Sequence, residues 1–137
     1  MCYYLYGSIN QQAYKESFFS VCRRFGIAHT QIPEGELPFQ CDCRGSVFFR
    51  LNGNCCDCNT PLGSHKPGSG ELDRYLQWIK ECKTCKNIKY VALLKYWAGS
   101  DRKKVLQPMQ VVSINQVDTK FLSEITDDTL YKLHFYL

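Results

Sequence analysis

A chain of 137 residues and 15.9 kDa, with 45% hydrophobic, 14% aromatic and 22% charged residues and a net charge of +4, has the make-up of a globular protein that builds its own core; a disordered or fibrous polymer is excluded. No run approaches the ~18 apolar residues of a membrane helix, and the start, MCYYLYGSINQQ, lacks the basic region and the ~7–15-residue apolar core of a signal peptide. A cytoplasmic chain is therefore expected, where disulfides are rare, so the nine cysteines, an odd number, read as metal ligands, reactive thiols or small core residues.

Tyr3-Tyr4-Leu5-Tyr6 predicts a short strand that Gly7 ends. Ser8 and Gln11 have capping-box spacing, and Tyr14, Phe18, Val21, Cys22 and Phe25 recur at helical intervals; a first helix is expected, closing at Arg23, Arg24 and Gly26. Residues 28–38, with Pro33, Gly35 and Pro38, form a loop. The segment 41–58, CDCRGSVFFRLNGNCCDC, holds five of the cysteines. Val47, Phe48, Phe49 and Leu51 followed by Asn52-Gly53-Asn54 predict a hairpin there.

Residues 59–70 are rich in Pro and Gly and form a loop. Ser69 caps a second helix, with Glu71 and Asp73 in its first turn and Leu72, Tyr75, Leu76, Ile79 and Cys82 as its buried stripe. Residues 88–97 predict a buried strand and 105–114 a partner pairing back antiparallel, with Pro108 at an edge or bulge. Asp118 caps a short third helix, and 129–137 alternate as a final half-buried strand. The order is α+β: two or three helices on a mostly antiparallel sheet, with a cysteine-rich knuckle or hairpin as an insertion. The whole of 1–137 reads as one domain, in which 39–70 form the cysteine-rich knuckle and the Pro/Gly loop.

A closed zinc site needs four soft ligands about 2.3 Å from the ion. Two Cys-Asp-Cys triplets at the ends of one hairpin supply them, so the expected set is Cys41, Cys43, Cys56 and Cys58. Cys55, which has the familiar two-residue gap to Cys58, and His65 on the following loop are the alternative ligands. Cys22 and Cys82 lie on apolar helix stripes and read as packing, and Cys85 as a helix-end residue. Cys2 follows the initiator Met, whose removal would set a free amine beside a thiol, but no base or oxyanion donor goes with it.

Charge is uneven. Residues 80–104 carry eight cations against Glu81 and Asp101. Lys80, Lys83 and Lys86 form a ridge beside the second helix's apolar stripe, and Arg102, Lys103 and Lys104 occupy a loop. This surface suits nucleic acid, with Tyr90, Tyr96 and Trp97 available for stacking if exposed, or an acidic protein. The expected function is thus a small cytoplasmic zinc-stabilised binding module for protein or nucleic acid. The alternative is a small enzyme with a cysteine-bound catalytic zinc or a nucleophilic cysteine.

Overall fold

Along the chain the elements are β1 (Cys2–Asn10), α1 (Glu16–Phe25), β2 (Gln31–Ile32), β3 (Phe39–Gln40), β4 (Ser46–Arg50), α2 (Gly70–Glu81), β5 (Tyr90–Ala98), β6 (Lys104–Val105), β7 (Gln110–Ser113), α3 (Thr119–Ser123) and β8 (Tyr131–His134). They come from a computed structural model that describes residues 2–42, 44–99 and 103–136. Six strands form one sheet in the order β2-β4-β1-β5-β8-β7, antiparallel at every pairing except that of β7 with β8. β3 and β6 pair separately, in parallel. The expected α+β class, with three helices and a mostly antiparallel sheet, is what the chain adopts.

β1 is longer than its sequence predicts and organises the sheet, because both of its edges are paired. Gly7 does not end it. A Cβ at Gly7 would lie 2.6 Å from the Phe49 ring and 2.8 Å from Leu51, so the glycine admits a close neighbour within the strand. Ser8 is a strand residue, partnered by Phe48 and Ala92, so the expected capping box does not form. Two-sided pairing outweighs the local capping signal, and α1 begins eight residues later, at Glu16. The helix closes as expected on Gly26, at φ 69° in the left-handed region.

The 41–58 segment is corrected more deeply. β4 is an inner strand, paired with β1 on one edge and β2 on the other, and it has no hairpin partner among residues 51–58. The apolar run Val47-Phe48-Phe49 is buried on both faces of the sheet, and this burial draws it into the centre. The expected antiparallel return of 105–114 onto β5 is also replaced. β8 takes that edge of β5 (Tyr90↔His134 to Leu93↔Tyr131), and β7 pairs in parallel outside it. Leu133 is fully buried where Val111 is 50% exposed, so β8 brings more apolar surface to the inner position.

Both faces of the sheet are covered. On one, Leu5, Ile9, Phe49, Val91, Leu93 and Leu133 pack under the helices, among them Phe18, Leu72, Trp78 and Leu122. On the other, Tyr6, Phe48, Leu94 and Tyr96 lie under Leu37 and Phe39. α2 starts on the expected Ser69 cap, whose Oγ accepts the Glu71 N–H at 3.2 Å. α3 starts on Asp118, whose carboxylate accepts the Phe121 N–H at 2.7 Å. No helix among the described residues is long and apolar enough to cross a membrane.

Candidate metal centre

Where β4 ends, the chain stays on β1 by means of one buried carboxylate. The Leu51 N–H donates to the Leu5 carbonyl at 3.1 Å and the Asp57 N–H to the Tyr3 carbonyl at 2.8 Å. Asp57 Oδ2 accepts the Leu5 N–H at 2.8 Å and Arg50 Nη2 at 3.0 Å, and its Oδ1 accepts the Asn52 amide. With its side chain only 1% exposed, Asp57 continues the pairing of β1 beyond the point where β4 departs. Arg50 also lies 4.9 Å from the Tyr4 ring. An aspartate between two cysteines thus fixes both of them over the start of β1.

The consequence is a cluster of three thiols. The sulfurs of Cys2, Cys56 and Cys58 all lie within 4.8 Å of one another, and they form the one such group of three or more ligand side chains among the described residues. Thiolates around a tetrahedral zinc with bonds of about 2.3 Å stand about 3.8 Å apart, so a contraction of an ångström or less closes the group on an ion. Three sulfurs leave one tetrahedral position open. The hydrogen bonding already favours charge at one sulfur: the Cys58 N–H and the thiols of Cys58 and Cys2 lower the pKa of Cys56, whereas bonding to Cys56 and then to Cys58 raises that of Cys2.

A cavity of about 180 Å³ adjoins the thiols, lined by Cys56, Cys58, Asn52, Asn59, Glu71 and Tyr75 among others. The Tyr75 hydroxyl is buried with no hydrogen-bond partner among the described residues, and burial pushes its pKa up. Arg74 and then Asn52 partly counter that shift, and the Asn52 amide donates to Asp57.

Of the expected ligands, the fold brings Cys56 and Cys58 together and joins them with Cys2. Cys41 lies elsewhere, half-buried against the apolar cluster of Tyr6, Phe39 and Phe48. Cys43 lies outside the described residues. Cys41 and the Cys56–Cys58 turn lie on either side of β4 instead of meeting at a hairpin's open end, and five strand residues span about 17 Å. Cys55 is exposed and outside the group. His65 is exposed on a loop whose N–H donates to the Ser123 carbonyl, and it too is outside the group. Cys22, Cys82 and Cys85 are buried under the helices; burial pushes the Cys22 thiol up to about 12 and that of Cys82 well above its ordinary value.

The basic residues divide. Lys80, Lys83 and Lys86 are exposed where α2 leads into β5, whereas Lys103 and Lys104 follow the far end of β5. Nine strand residues put about 30 Å between these groups, so they do not form one patch. Arg102 lies outside the described residues. Lys104 is engaged: its ammonium meets Asp128 Oδ2 at 3.0 Å and the Trp97 carbonyl at 2.5 Å. Tyr90 and Tyr96 are buried, so neither offers an open stacking face, and the half-buried Trp97 has its ring against Tyr3 at 4.5 Å. Comparison of the chain with protein-family models, curated proteins and solved structures gave no match.

Proposed function

We propose that this chain is a small metal-binding module that holds one zinc ion on Cys2, Cys56 and Cys58, with the fourth position taken by a ligand from outside this trio. The observation that carries the reading is the convergence of three sulfurs within 4.8 Å from segments more than fifty residues apart. It is supported by Asp57, which holds the Cys56–Cys58 turn on β1 whether or not an ion is bound. Thiolate donors favour zinc among the common divalent ions, and an open position suits either a partner's side chain or water.

The neighbouring cavity favours the enzyme form of the same proposal. Three protein ligands plus one exchangeable position is the arrangement of catalytic zinc, and the Tyr75 hydroxyl and Glu71 carboxylate are polar groups beside it. Protein purified without chelator is expected to contain one equivalent of zinc. Replacement by cobalt(II) should give the intense thiolate-to-metal bands of a tetrahedral sulfur-rich site, and Cys2→Ser, Cys56→Ser and Cys58→Ser should each weaken them. Added cyanide should shift the visible bands where the fourth position is open. Absence of stoichiometric metal, or cobalt bands unaltered by Cys2→Ser, overturns the reading.

A further inference from the structure

The face of the sheet away from the helices carries a cavity of about 250 Å³, which two small residues create side by side. Ser8 of β1 and Ala92 of β5 are register partners, both buried. At the next pair on the same face, Tyr6 and Leu94, the space is filled by aromatic packing of Tyr6 with Phe39 and Tyr96. At Ser8 and Ala92 no described residue fills it. Their outer partners, Phe48 on β4 and Lys132 on β8, form opposite walls, and Leu106 and the half-exposed Met109 stand at the rim.

Two polar groups in this cavity have no hydrogen-bond or ion-pair partner among the described residues, although Arg44 lowers the pKa of Asp42 and Lys132 lies near enough to help. The Ser8 hydroxyl, in a residue 1% exposed, makes no hydrogen bond with a described residue. The Lys132 ammonium rests 4.3 Å from the Tyr90 ring centroid, and among the described residues it has no carboxylate within ion-pair distance. Asp42, also on the lining, is engaged by Arg44 at 3.2 and 3.4 Å, which offsets its charge toward an incoming anion. A largely apolar enclosure with a few convergent polar groups is the usual form of a small-molecule site. An apolar cavity of about 150 Å³ suffices for benzene, so this one has room for one ring and a short arm.

We infer that this cavity binds a small aromatic carboxylate, its ring against Phe48 and Ala92 and its carboxylate on Lys132 and the Ser8 hydroxyl. The site is separate from the thiols: Ser8 is six residues along β1 from Cys2, about 20 Å. The protein, with metal retained, is titrated with phenylacetate and with its neutral isostere phenylacetamide while backbone amide shifts are followed. Saturable shifts around Ser8, Ala92 and Lys132 are expected with phenylacetate, and affinity for phenylacetamide should be lower by about tenfold or more, because a charge-assisted contact is lost. Lys132→Met should weaken phenylacetate to the same degree, and Ser8→Val should fill the floor and abolish binding. Should Ser8→Val not fold, Lys132→Met decides, since that side chain is partly exposed. Equal binding of acid and amide, undiminished binding by Lys132→Met, or no saturable shifts at millimolar ligand overturns the inference.

Discussion

Asp57→Ala tests whether one carboxylate docks the cysteine turn onto the sheet. The substitution removes the acceptor of the Leu5 N–H, which is buried, and the partner of Arg50, whose side chain is 26% exposed. A buried donor left unsatisfied costs about 1–3 kcal/mol. Breaking a buried ion pair from one side costs about 3–5 kcal/mol, and rehydration of the partly exposed guanidinium reduces this. Because the groups share one site the terms do not add, and the working figure is about 3 kcal/mol. For a chain of this length that lowers Tm by roughly 10 °C. Urea unfolding, with an unchanged dependence on denaturant, measures the loss, and a competition titration measures zinc affinity, which should fall in parallel. Asp57→Asn keeps an acceptor for Leu5 but loses the charge, so it should lie between the two. An Asp57→Ala protein within about 0.5 kcal/mol of the parent, the scatter of ordinary surface changes, with unaltered zinc affinity, would refute the reasoning.

Gly7→Ala drives a methyl group toward the Phe49 ring and Leu51 and should cost about 1–3 kcal/mol by overpacking, again read by urea unfolding; a neutral result would mean that the β1–β4 contact yields. In metal-free protein, brief alkylation followed by peptide mapping should mark Cys56 before Cys2, since one thiol pKa is lowered and the other raised from 9.0; Cys22, at about 12, should stay unmodified, and bound zinc should protect Cys56. Burial and Lys132 lower the pKa of His134 from 6.5. The unfolded chain therefore takes up this proton first, so stability is full above pH 6.5 and falls as pH drops from there toward the lowered folded value. His134→Gln should flatten that part of the stability–pH curve, and an unchanged slope would exclude this histidine as its source.

The helices and the buried strand β5 were legible because their signals are local. Ser69 and Asp118 cap through their own side chains within three residues, and Gly26 supplies the left-handed closure of α1. What escaped was set by distant pairing. The alternation of 129–137 marks a strand, but nothing local says that it lies between β5 and β7. The two Cys-Asp-Cys triplets look equivalent in sequence, but Cys41 stands apart from Cys56 and Cys58 in the fold, because the Val47-Phe48-Phe49 run between them is drawn into the sheet. Asp57 is the residue that distinguishes the second triplet, and its role depends on Leu5 and Arg50 standing in register. Cys2 escaped for the same reason: only the long β1 places residue 2 opposite the 56–58 turn, and Gly7, which reads locally as a strand end, conceals that length.

Removing the ion separates a metal that shapes the fold from one that ties down an edge. β1 is paired without help from metal, with β5 from Cys2↔Ala98 to Ile9↔Val91 and with β4 from Tyr6↔Arg50 to Asn10↔Ser46, and Asp57 anchors the turn independently. Zinc on Cys2, Cys56 and Cys58, as proposed, would therefore add a third tie at one corner of the sheet. An ion that binds only the folded chain would still raise global stability by mass action, about 4 kcal/mol at a thousandfold excess of free ion over Kd. Below the global opening, though, chelation should speed amide exchange chiefly at residues 2–4 and 52–60, with the Asp57 N–H, bonded to the Tyr3 carbonyl at 2.8 Å, as the most direct reporter. Amides of Val91–Leu93, inside β5 and paired on both edges, should keep their order of protection relative to one another, and β4, although it lies between the two cysteine triplets in sequence, should behave like β5. Collapse of protection throughout β4 and β5 on chelation would mean that the ion is required for the fold. Unchanged exchange at 52–60 would mean that Cys56 and Cys58 do not hold it.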